Sequence, residues 1–176
     1  MKEELENGKV LNELIDRFMI SKDVDDLEAI FLCLIDSSIS VPIDSNMKKK
    51  DMKELEKIKN KDDYTNKKPI VIKPDWLKAS GEEKVLLPIF SNEKEAPKEY
   101  RESFLWISLT LEDCIKMVDE NKNCKGMVLN AFTNTIEIKG DYYNALKTML
   151  QEVREFQRVL EQEKEEGIEY PNIDEI

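Results

Sequence analysis

The sequence has no histidine, three cysteines, five glycines and no long apolar run. Without histidine there is no Ser-His-Asp or Cys-His catalytic set and no histidine-containing zinc site, since no other side chain titrates near neutrality unperturbed. Cys33, Cys114 and Cys124 form no CxxC pair, and an odd number of scattered thiols reads as reduced cysteine rather than a disulfide framework or metal cluster. Cys33 and Cys114 lie inside apolar helical patterns, where free cysteine behaves as a small hydrophobe. No Walker loop, GxGxxG or DxDxDG is present, and so few glycines leave little material for a phosphate cradle. No metal and no cofactor is expected. No segment approaches the roughly 20 apolar residues that span a bilayer, and the opening "MKEELENGK" lacks the apolar segment of a secretion signal. The expected setting is cytoplasmic, with no membrane partner.

What the chain does have is charge and enough apolar residues for a core. Hydrophobic residues make up 40% of its 176 positions and charged residues 37%. At this length a single domain is expected to bury about 70% of the surface its unfolded chain exposes. The 38 acidic and 27 basic residues give a net charge of −11, which opposes binding to a phosphate backbone, so nucleic acid is not an expected partner.

Apolar spacing predicts two opening helices, one carrying Leu11, Leu14, Ile15 and Phe18, the other Val24, Leu27, Ile30, Phe31, Leu34 and Ile35 after the cap-like "SKD". In "SISVPI" the period changes to two, and Pro42 marks an edge or strand end. Positions 44–68 then hold nine lysines against six acidic residues, a basic island in an acidic chain, read either as a solvated excursion or as an anion contact. "PIVIK", "KVLLPIFS" and "SFLWISLTL" read as strands, with Pro88 at an irregular or edge position and "PDWLKAS" as a turn. "TLEDCIKMV" starts a helix with Thr110 and Asp113 in capping-box positions and Ile115, Met117 and Val118 on its buried side. "GMVLN" and "TIEI" form a hairpin around "AFTN". A long helix from about Tyr142 to Lys164 closes the pattern.

The predicted fold is α+β: a small mixed or antiparallel sheet with an N-terminal helix pair, one internal helix and a long C-terminal helix. It forms a single domain over 8–165, carries the lysine-rich insertion at 44–68, and ends in an acidic tail, 166–176, that is expected to fray.

The segments "LNELIDRF", "VDDLEAIFLCLIDSSISVPI", "LLPIFSNEKEAP", "TLEDCIKMVDENKNCKGMVLNAF" and "TIEI" resemble, in that order, the N-terminal domain of the SseB family. They run from about Leu11 to Ile138. The resemblance implies helices packed on a small sheet, a bacterial cytoplasmic protein, and a family whose name refers to serine sensitivity but which has no settled biochemical activity.

Two loops supply the candidate binding residues. Ser91, Asn92 and Glu93 stand where an apolar strand enters a polar loop, and the alternative is that Ser91 or Asn92 caps the next turn. Asn130, Phe132, Thr133 and Asn134 surround the hairpin turn, where short polar side chains also stabilise the turn itself. The leading function is a non-catalytic protein- or peptide-binding module using its sheet edge and these loops. The alternative is a small-molecule hydrolase or transferase using carboxylates near Glu93 and Glu112, with Glu95 and Asp113 beside them. Phe156 and Leu160 on the last helix are interface candidates: either the N-terminal helices cover them, or they meet a partner such as a second copy. Monomer and weak homodimer both remain open.

Overall fold

A computed structural model describes residues 8–44, 73–78 and 81–165. Helices α1 (Lys9–Ser21) and α2 (Val24–Ile35) lead into β1 (Ile39–Ile43). Then come β2 (Val85–Ile89), a 3-10 turn (Glu93–Glu95), α3 (Lys98–Ser103), β3 (Leu105–Leu109) and α4 (Leu111–Glu120). The hairpin β4 (Cys124–Leu129) and β5 (Ile136–Lys139) precedes α5 (Asp141–Glu165). The protein is α+β with a mixed sheet arrangement, as its sequence predicts. Most of the insertion at 44–68, most of "PIVIK" and the tail at 166–176 lie outside the described residues.

The caps follow local chemistry. Asp23 accepts from the Asp25 amide at the start of α2, and Thr110 from the Asp113 amide at the start of α4, each satisfying an amide that has no partner within the helix. Leu27, Ile30, Phe31, Leu34 and Ile35 of α2 are buried, whereas Val24, in its first turn, is exposed and does not belong to the inner stripe. On α4 the inner face is Leu111, Cys114 and Val118, with Ile115 and Met117 only half-buried. Burial pushes the Cys114 thiol up to about 12, so it stays protonated.

The strands form two sheets, β1–β3 and β2–β4–β5, with β1/β3 and β4/β5 antiparallel and β2/β4 parallel. Two prolines account for the division. Ser40 and Phe90 exchange both backbone hydrogen bonds at 2.9 Å, which bridges β1 to β2. Continuing that antiparallel register places Pro42 opposite Pro88, and neither has an N–H to give, so the ladder stops after one bridge. Residues 73–77 fill the gap instead: the Asp75 amide donates to Pro42 O at 3.0 Å, and Leu77 exchanges hydrogen bonds with Leu86.

Alternation along the strands makes two cores. Ile39, Val41, Ile43, Leu87, Ile89 and Ile107 face the helices in the main one. The opposite face carries Phe90 and Trp106, which with Ala96 form a second, aromatic cluster flanked by Tyr100 and Ala131. Covering that cluster is the work of α3, an internal helix additional to the single one predicted. Its six residues, KEYRES, carry no apolar repeat; Pro97 sets its start and Tyr100 is its anchor.

Candidate functional site

Because β2 and β4 run parallel, their carboxyl ends lie on one rim, the location where sheet folds commonly present ligand loops. Ser91 and Asn130 stand just past those ends, each only 1% exposed. The Asn130 amide continues the ladder by donating to Ile89 O at 2.9 Å. Its side-chain oxygen accepts from the Ser91 amide at 3.0 Å. Ser91 Oγ donates to Asn12 Oδ1 at 2.5 Å, and Asn12 Nδ2 donates to Glu95 Oε1 at 2.8 Å. Glu95 Oε2 in turn accepts from Thr133 Oγ1 at 3.0 Å. A chain of polar groups, buried at Ser91 and Asn130, half-buried at Asn12 and Glu95 and exposed at Thr133, thus ties the loop after β2, the loop after β4 and the first turn of α1 together.

The backbone is fitted to this junction at two places. Asn130 adopts φ 49°, a left-handed conformation that asparagine tolerates better than other residues with a side chain. Gly8, at φ 71°, lies so close to the loop that a Cβ there would sit 2.2 Å from Ser91 O. Asn134 Nδ2 adds an outer link to Asp16 Oδ1 at 2.6 Å.

Phe132 rises from the hairpin turn, 43% exposed. Its ring stacks on Phe90, with centroids 6.1 Å apart, and meets Tyr100 at 4.7 Å. Tyr100 also contacts Phe104 and Trp106 and donates its hydroxyl to Asp75 Oδ2 at 2.5 Å. Burial, then the Asp75 carboxylate, raises the Tyr100 pKa, which keeps the phenol neutral.

The structure therefore brings Ser91, Asn130, Phe132 and Thr133 together, with Asn92 and Glu93 on the adjoining 3-10 turn. Asn92 itself caps that turn, accepting from the Lys94 amide at 2.9 Å. What the sequence does not show is Asn12 and Gly8 as partners of Ser91, or the ring cluster beneath Phe132. A signal for the rings is present: Phe90 and Trp106 fall on the strand positions that alternate with the core-facing ones.

The carboxylates do not gather. Glu93 is exposed on the 3-10 turn, and Asp113 faces Thr110 at the start of α4. Glu112 is held by Arg154, whose Nε donates to Glu112 Oε1 at 2.5 Å while its Nη2 donates to Ile35 O at 3.0 Å. Burial raises the Glu112 pKa, but the Arg154 hydrogen bond and charge, with help from its own backbone and Thr110, outweigh that and leave it lowered. A lowered carboxylate stabilises the fold above its unfolded pKa and loses that contribution as pH falls through the folded one. Arg154→Met should therefore lower the unfolding free energy at pH 7, by about 1 kcal/mol or less for so exposed a pair, which a thermal melt reads as a small drop in midpoint. The gap from wild type should narrow steadily as acid protonates Glu112. A gap that is constant down to pH 3 would show that the ion pair contributes nothing.

Other expected positions resolve differently. Phe156 is 64% exposed and Leu160 half-buried, so coverage of Phe156 by the N-terminal helices is ruled out. Among the described residues β1 and β2 are the edges that face each other across the Ser40–Phe90 bridge, and β3 and β5 are the outer edges. An open groove of about 510 Å³ lies elsewhere, lined by Asp44, Lys73, Trp76 and Glu120 among others. Among the described residues no helix is long and apolar enough to cross a membrane. No protein-family model, curated protein or solved structure matches the chain.

Proposed function

We propose that the protein is a non-catalytic protein- or peptide-binding module of the SseB N-terminal type, acting in a bacterial cytoplasm and receiving its partner at the joined loops after β2 and β4. The observation that carries this reading is Phe132. An exposed ring already immobilised against Phe90 and Tyr100 loses little freedom on binding, which is what makes aromatic anchors effective at interfaces. The hydrogen bonds from Ser91 to Asn130 and from Thr133 to Glu95 hold the two loops as one surface around it. The reading as a carboxylate-dependent hydrolase or transferase has no comparable support, because Glu93 and Glu112 stand on separate elements and Glu112 is engaged by Arg154.

The test is selection of a displayed random-peptide library on the purified protein, followed by titration of a selected peptide into isotope-labelled protein. Resonances of Asn92, Phe132 and Thr133 should shift, and Phe132→Ser should weaken the dissociation constant about tenfold or more. Shifts confined to other surfaces, or a Phe132→Ser variant that binds as wild type, would defeat the proposal.

A further inference from the structure

Helix α5 has two apolar faces, and the core uses one. Tyr143, Leu146 and Leu150 are buried. About a third of a turn away, at 100° per residue, runs a second line of positions spaced three and four apart: Tyr142, Ala145, Met149, Glu152, Phe156, Val159 and Glu163. Tyr142 is 54%, Phe156 64% and Val159 39% exposed, and Ala145 is exposed, while Met149 is partly packed on the core. The line covers three heptads, or about 33 Å of helix, which is long enough for a helix-on-helix contact.

The charges on and around this face choose its partner. None of the seven positions is basic and two are glutamate. Three cations of α5 are engaged with other acids: Lys147 with Asp119 at 3.5 Å, Arg154 with Glu112, and Arg158 with Glu155 at 2.6 Å, while Lys164 follows Glu163 at the far end of the helix. Two copies of the face would therefore add two more glutamates and no cation on the line itself, leaving Glu152 in the middle of the strip without a partner charge, and like charges across a helix pair are destabilising. A helix with apolar residues at its own a and d positions and Lys or Arg beside them would bury Phe156 and Val159 and pair Glu152 and Glu163.

We propose that the outer face of α5, from Tyr142 to Glu163, is a docking strip for a basic amphipathic helix of another protein. It uses residues apart from the Phe132 loops and stands whether or not those loops bind anything.

The probe is a 21-residue synthetic helix, three heptads long, with leucine at a and d and lysine at the flanking positions, compared by calorimetry with a scrambled peptide of the same composition and with a twin bearing glutamate for lysine. The lysine helix should bind, and the other two should not. Phe156→Glu with Val159→Glu should weaken binding at least about tenfold while leaving the thermal melt unchanged, since both side chains are exposed. Glu152→Lys should weaken it as well, giving a second readout should the double variant melt early. The proposal is overturned by absence of binding, by equal binding of the scrambled peptide, or by binding that survives these substitutions. It is equally overturned by a wild-type dimer in sedimentation equilibrium that Phe156→Glu dissociates, because a second copy would then be the occupant.

Discussion

Gly126→Ala is expected to remove a large share of the stability of the fold. Gly126 sits in β4 between β2 and β5 at φ 150°, and a Cβ built on it would lie 2.2 Å from Ile138 O and 3.0 Å from the Lys139 Cα. Both atoms are backbone, so no side-chain rotation relieves the contact. The strands cannot separate cheaply either. Met127, the next residue, pairs with Leu87 on one side and Ile138 on the other, and all three side chains are fully buried. Moving β5 outward opens the core beneath Ile138; moving β4 inward breaks the register with β2. Either route costs about 3 to 5 kcal/mol, a large share of the roughly 5 to 15 kcal/mol that holds a domain together. Denaturant titration of the alanine variant measures it directly. An unfolding free energy within about 1 kcal/mol of wild type would mean that β5 lies farther from β4 than the structure shows.

Much of this architecture is legible in the sequence because its signal is local. The three-and-four spacing of Leu27, Ile30, Phe31 and Leu34 needs only one buried face to produce a helix, and the alternation of Ile39, Val41 and Ile43 only one covered sheet face. Pro42 and Pro88 read as edge or irregular positions, and that reading is physically right, though each is recognisable only singly. That they oppose each other, and so divide the sheet, depends on the pairing of Ser40 with Phe90 across 50 residues. The site follows the same rule. Ser91 and Asn130 draw attention as polar residues at strand ends, but Asn12 joins them from 79 and 118 residues away, and no pattern along the chain encodes that meeting. Helix α3 was hidden for a different reason: six residues with no apolar repeat are held by Pro97 in front and Tyr100 beneath. On α5, periodicity marks Phe156 and Leu160 as apolar positions on the right faces. How far the rest of the protein reaches along the helix is a tertiary fact, and burial falls away after Leu150.

Replacing Asn130 should separate two contributions that the polar junction combines. Asn130→Ala removes the acceptor of the Ser91 amide, leaving a buried N–H at a position 1% exposed, and it also forces alanine into φ 49°. The first loss is worth about 1 to 3 kcal/mol and the second about 1 to 2 kcal/mol. Asn130→Gly suffers only the first, since glycine adopts the left-handed conformation freely, although it adds flexibility to the unfolded chain. Alanine should therefore be the worse substitution, by about 1 kcal/mol, reversing the usual order in which alanine is the milder change. Ser91→Ala removes a hydroxyl but keeps the backbone amide that Asn130 satisfies, so it should cost less than either. Urea titration of the three variants settles the matter. If Asn130→Gly proves as damaging as Asn130→Ala, the strain of alanine at this position is no larger than the freedom glycine adds to the unfolded chain, and the side-chain bond to Ser91 accounts for most of the effect. If both are near wild type, Asn130 does not hold the loops after β2 and β4 together, and the platform beneath Phe132 loses its physical basis.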